Sequence, residues 1–339
     1  MDADRPTSYV YGIERHTLCL AAMTGDTQSN RFALGTLGIT EPSEIHLVDF
    51  KSDEGELQSQ VYKHHSGIRA LASVPQDPLQ LVVVNADHSV ELVELTADET
   101  RQLAPITPMG PEPHSVACHS SNPVAAVASS AVGVWDLAQS TMQCTLPTTN
   151  AAAVAWHPND PRQLATADGA SVRTWDTRTR QPLLTIHHAH TKARSLAFNP
   201  VVPYMLASGG NMVRIWDMRS PSSALLEIDN HSHWVLGIEF NPSHDQLLLS
   251  AGSDGLVNLE SVVSASSAQL VAGGALDTDS DTQSCEAVDG LVAQFDDHET
   301  SVYAAHWSVA DPWIFASLSF DGRLVINTVP REEKYKILL

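Results

Sequence analysis

The sequence predicts an all-β chain closed into one seven-bladed β-propeller, and three observations carry that expectation. Trp135-Asp136, Trp175-Asp176 and Trp216-Asp217 recur 40 and then 41 residues apart. That is the period at which a Trp-Asp pair ends the third strand of a four-stranded blade. Fainter copies place Val48, Val93, Leu259 and Thr328 at the Trp position, which gives seven positions in 339 residues. Apolar residues alternate along Ser195–Phe198, Met205–Ser208 and Met212–Trp216, as half-buried strands require. One blade cannot bury both of its faces, so the blades must stack until the ring closes.

Taken in order, the blades are expected at 8–63, 64–104, 105–147, 148–187, 188–229, 230–297 and 298–339. The first two rest on Glu44–Phe50 and Ser89–Leu95, and the next three on the Trp-Asp pairs. His157-Pro158, Asn199-Pro200 and Asn241-Pro242 end first strands, because proline cannot continue a ladder. Asp168-Gly169, Asp254-Gly255 and Asp321-Gly322 supply hairpins that tolerate positive φ. The sixth blade must hold an insertion, whose small and acidic part, 272–290, is expected to be disordered. In the tail, Tyr335, Ile337 and Leu339 alternate as an outer strand sealing the seventh blade would. A sorting signal built on Glu333, Ile337 and Leu338 is the less favoured reading. The sequence leaves open whether Tyr9–Ile13 takes part in closing the ring.

Charge is unevenly placed. The formal net charge is −21, and no Lys or Arg lies between Arg219 and Arg323. That field repels phosphate backbones and anionic lipid surfaces and attracts basic protein surfaces. The four cysteines, Cys19, Cys118, Cys144 and Cys285, lack paired or metal-type spacing and read as reduced thiols in a cytoplasmic protein. The N-terminus lacks the pattern of a signal peptide, and no apolar run approaches membrane-spanning length.

The blades resemble WD40 repeats, in which a His before the first strand, a Ser or Thr on the second, an Asp in the hairpin and the Trp form one set. Matching residues are His190, Ser208 and Trp216 in the fifth blade, and Thr166, Asp168 and Trp175 in the fourth. The sixth offers His233, Ser250 and Asp254, and the seventh His298, Ser317 and Asp321. Because the sets recur by blade, they read as buried polar networks rather than Ser-His-Asp triads. His187-His188-Ala189-His190 lacks further converging ligands, so neither a metal nor another cofactor is expected. No catalytic residue is evident, and the chain is expected not to be an enzyme.

His231–Val235, Asn241–Ser250, Asp311–Ser317, Asp321–Asn327 and Tyr335–Leu339 resemble the family of WD40 proteins that interact with the EARP and GARP tethering complexes. The likeness extends to Tyr11–Glu14 and Ile45–Phe50 and is weakest over the second and third blades. It implies a monomeric, non-enzymatic scaffold for tether subunits, peripheral to the trans-Golgi network and endosomes. Its implied roles are endosomal recycling, endosome-to-Golgi retrograde transport and dense-core vesicle cargo sorting. The expected partner-binding residues are Trp234, Asp245, Asp254, Asp311, Trp313 and Phe320, since aromatics anchor interfaces and charge steers encounter. An alternative is a substrate receptor of a cullin-RING ligase. It would dock through Arg178 and Arg219, which end the two Trp-Asp-x-Arg repeats.

Overall fold

A computed structural model describes residues 8–38, 42–108, 110–187, 191–268 and 288–339. Seven four-stranded antiparallel sheets follow one another around a central axis. The first six are consecutive meanders whose strands lie within 17–64, 68–106, 115–146, 151–187, 195–228 and 235–295. The seventh combines Val302–Trp307, Ile314–Ser319 and Arg323–Thr328 with an outer strand from the other end of the chain, Tyr9–Gly12.

Packing explains why the ring must close. Each blade is apolar on both faces, so neighbouring residues of one strand serve different interfaces. In Leu247-Leu248-Leu249, the outer two pack toward the seventh blade with Phe315 and Trp307. Leu248 packs toward the fifth with Ile215 and Val213. Seven buried clusters each join two adjacent blades. The cluster joining the first and last contains Phe32, Leu34, Leu318 and Ile326.

Closure uses the N-terminal strand, not the tail. Tyr9 pairs with Ile326 and Gly12 with Arg323 in antiparallel register. Tyr9 also packs on Phe50 of the first blade, with ring centroids 4.7 Å apart. Beyond this strand the chain passes so near Gly322 (φ +86°) that a Cβ there would lie 2.3 Å from the Ile13 carbonyl oxygen. The expected C-terminal outer strand is corrected accordingly, because Arg331–Leu338 is an α-helix. The edge it would have paired with is already occupied. Pro330 precedes the helix at its N-cap, and Glu332 and Glu333 in the first turn and Lys336 in the last are favourable to the helix dipole. Of the alternating apolar residues, Ile337 packs against the core while Tyr335 and Leu339 are exposed.

Two register assignments are also corrected. Leu206 pairs with Trp216 two residues before Ser208. By that rule the sixth and seventh blades place Glu260 and Asn327 at the Trp position, opposite Leu248 and Phe315, rather than Leu259 and Thr328. Of the expected insertion, 272–287 lies outside the described residues, while Gly290 already begins the outer strand Gly290–Phe295.

Candidate functional site

The recurring polar sets are part of the scaffold. Trp175 donates through Nε1 to Thr166 Oγ1, and Trp216 to Ser208 Oγ, both at 2.8 Å. In the sixth blade the ring that serves is His231, not His233. It meets both Asp254 oxygens at 3.1 Å and Ser250 Oγ at 2.9 Å. His233 sits two residues further along, is exposed, and reaches only the Ser253 hydroxyl. Burial alone would raise the Asp254 carboxyl. The charge and hydrogen bond of His231, with amide donors Leu256 and Ser232, hold it below the usual range.

In the seventh blade, His298 Nε2 lies 2.7 Å from Ser317 Oγ. Asp321 instead accepts from Thr300 and Ser319. Ser208, Ser250 and Ser317 are fully buried, so these hydroxyls stabilise blades and are closed to a substrate. His190 lies outside the described residues, as do His188 and Ala189.

Among the described residues, one group could converge on a cation: His64, His65 and Glu91. Its two buried members are already hydrogen-bonded, and His65 is exposed. His64 holds Thr100 at 2.8 Å and Asn85 at 2.9 Å, and Asn85 Nδ2 donates to Glu91 at 2.8 Å. This is the second blade's version of the same scaffold network.

The ring has two faces, and the expected partner-binding residues divide between them. First strands begin, and second strands turn into third strands, on what we term the top face. Trp234, Asp254 and Phe320 lie there. The Arg194 guanidinium sits 4.9 Å over the Trp234 ring. Phe320 stacks on exposed His16 at 4.5 Å and approaches Tyr303 at 6.0 Å. A half-buried aromatic arc thus borders the mouth of the channel from the fifth blade round to the first. Arg194, His16 and Tyr303 in this arc had no sequence signal, because contacts between blades, not spacing, bring them together.

Asp245, Asp311 and Trp313 lie at the other ends of the same strands, on the bottom face. Asp245 is a buried scaffold residue, which corrects its reading as a steering charge. It accepts from Asn199 Nδ2, Ser267 N and Ser267 Oγ at 3.0, 2.8 and 2.6 Å. Asp311 accepts the Trp313 amide at 2.9 Å within its own turn. Trp313 is half-buried, with the His244 ring stacked on it at 4.4 Å and Lys334 Nζ of the C-terminal helix 5.1 Å from its ring centre. Asp245, Asp254 and Glu260 are all withdrawn from solvent, so the acidic exterior of the late blades is smaller than the sequence suggests.

Arg178 and Arg219 occupy third-to-fourth-strand turns on the bottom face. Arg178 is exposed. Arg219 grips Asp217 at 2.7 Å and lies 3.6 Å over the Tyr204 ring, so its guanidinium is already engaged.

A cavity of about 430 Å³ opens between the first strands of all seven blades. Its lining is largely apolar and includes one imidazole–carboxylate pair, His306 Nδ1 to Glu239 at 3.0 Å. Burial would lower the imidazole, but the charge and hydrogen bond of Glu239 hold it above its ordinary value.

Comparison with known proteins completes the description. The profile of the EIPR1 beta-propeller family matches residues 5–260, and that of the WD domain, G-beta repeat, matches 290–326. The chain belongs to the EIPR1 β-propeller family. It is 34% identical over 391 residues to EARP and GARP complex-interacting protein 1 of Rattus norvegicus, with all of both chains covered. The Homo sapiens protein of that name is 32% identical, again over the whole of both. EARP-interacting protein 1 of Caenorhabditis elegans is 31% identical, covering 97% of this chain and 98% of its own. The EIPR1-family profile ends at the third strand of the sixth blade, and the C-terminal helix lies beyond both profiles. The full-length similarity to the Rattus norvegicus and Homo sapiens proteins extends over the residues of that helix.

Proposed function

We propose that this propeller is a non-enzymatic interaction scaffold that binds subunits of the EARP and GARP tethering complexes. The observation that carries the reading is end-to-end similarity to proteins whose names state that interaction. The fold is compatible with it: a closed ring offers rigid faces, and its recurring hydroxyl–imidazole sets are buried. In this reading the chain supports endosomal recycling, endosome-to-Golgi retrograde transport and dense-core vesicle cargo sorting. It reaches endosomes and the trans-Golgi network through its partners, consistent with the absence of any membrane-length apolar helix among the described residues.

The test is direct binding of the purified chain to purified EARP and GARP complexes, with Arg178→Ala plus Arg219→Ala in parallel. Saturable binding unaffected by the double substitution supports the scaffold reading. Failure to bind either complex, with a cullin adaptor captured through Arg178 and Arg219 instead, would reverse it in favour of a ligase receptor.

A further inference from the structure

The C-terminal helix creates a feature that the propeller alone lacks. A groove of about 490 Å³ runs between Arg331–Leu338 and the start of the sixth blade's outer strand. Val263, Val288, Leu291, Val292 and Ile337 line it. Of these, Val288 is 74% exposed and Leu291 46%; Tyr335 and Leu338, at 60% and 57%, stand out from the helix beyond the lining. Apolar side chains gathered this way on a soluble surface mark a place that a partner covers.

Charge selects the occupant. Asp289, Glu332 and Glu333 stand in the lining, and its one cation, Lys336, is held by Glu333 at 3.0 Å. The sixth blade adds no base, since residues 220–322 contain neither Lys nor Arg, and of the helix's other bases Arg331 stands outside the lining while Lys334 lies over the Trp313 ring. The chain's own segment 269–287 is a poor occupant. It carries Asp277, Asp279, Asp281 and Glu286 without a basic residue, so it meets like charge. A second copy is disfavoured on the same ground, with a net charge of −21 on each. A lining that joins aliphatic side chains with acidic ones suits an amphipathic helix with aliphatic anchors at i, i+3 or i+4, and i+7.

We propose that this groove binds a basic amphipathic α-helix of a tether subunit, with aliphatic anchors on Leu291 and Ile337 and Lys or Arg against Glu332 and Asp289. This rests on the proposed tether binding, and the experiment keeps the two claims separable.

A fluorescent designed peptide, helical with Leu anchors and Lys flanks, is titrated against the full chain by anisotropy. A control peptide has Glu flanks. The tether complex is measured separately by interferometry. The variants are Leu291→Asp, Leu338→Asp and Glu332→Lys, all at exposed positions, with circular dichroism to confirm folding. The Lys-flanked peptide is expected to bind, to weaken about tenfold or more in Leu291→Asp, and to weaken with salt. The control is expected not to bind. Parallel losses for the tether complex would place its contact here. Absence of peptide binding, or equal binding to Leu291→Asp, overturns the groove whatever the tether does. Undiminished tether binding by both Asp variants also overturns it, while leaving the scaffold reading intact. Failure of the tether to bind the unsubstituted chain removes the scaffold reading and with it the tether subunit as occupant, leaving the groove's selectivity for a basic amphipathic helix to be judged by the peptide alone.

Discussion

Replacing His298 by Gln should flatten the pH dependence of stability on the acid side of neutrality. His298 is 8% exposed, and its Nε2 meets Ser317 while Nδ1 finds no partner among the described residues. Burial pushes the imidazole down to about 4, with Asp321 pulling upward and Arg323 adding to the depression. Its unfolded value is about 6.5. A depressed folded pKa means that the native state favours neutral imidazole. The contribution is therefore complete above 6.5 and is lost as pH falls through the window from 6.5 to 4. Linkage over that window costs roughly 3 kcal/mol in total, of which about 2 kcal/mol is lost between pH 7 and pH 5. In urea titrations at both pH values, the native chain should lose about 2 kcal/mol more than His298→Gln over that interval. Other titrating groups, His306 among them, are present in both proteins and cancel in the difference. Parallel loss by the two proteins would show that His298 is not held neutral, and the account of the seventh blade would fail.

Three further outcomes follow from the same geometry. Asp245→Ala should destabilise the chain by on the order of 3 kcal/mol, because it strands the donors of Asn199 and Ser267, and this can be read in denaturant midpoints. Trp216→Phe keeps most of the apolar bulk but leaves Ser208 without the indole donor, and should cost about 1 kcal/mol in the same assay. Deleting residues 9–12 removes the closing strand, so amides within 323–326 should lose hydrogen-exchange protection while those of 163–168 keep theirs. Retained protection throughout 323–326 would argue against ring closure by the N-terminus.

The fold was legible because its determinant is periodic. Trp135, Trp175 and Trp216 mark the same structural position three times, and the strand alternation between them repeats. Where a blade satisfies that position differently, the pattern misleads. Glu260 and Asn327 are buried at 0% and 1% exposure, respectively. Burial raises the Glu260 carboxyl, while Asn230 donates to both of its oxygens at 3.1 and 3.0 Å. A buried polar residue in place of an indole is the reverse of what hydropathy suggests, so apolar Leu259 beside it drew the register off by one. His231 and His233 are of one residue type and two positions apart. Only the reach to Asp254 and Ser250 tells them apart, and that depends on how the loop enters the strand.

The tail and the partner surface were harder to read for a related reason: both depend on which edges and faces the rest of the ring leaves free. Tyr335, Ile337 and Leu339 alternate as a strand would, and nothing local forbids one. Tyr9–Gly12 makes the helix the outcome by taking the edge of Arg323–Thr328 from the far end of the chain. Once helical, the same residues divide differently, with Ile337 turned into the groove that Leu291 also lines and Tyr335 and Leu338 turned outward. Asp245 and Trp313 were singled out as a steering charge and an anchor, yet one is locked to Ser267 and the other lies between His244 and Lys334. Of the two, Trp313 meets the helix, through Lys334. A surface assembled from the two ends of a chain leaves its ingredients in the sequence but not its shape, because shape here is fixed by which end closes the ring.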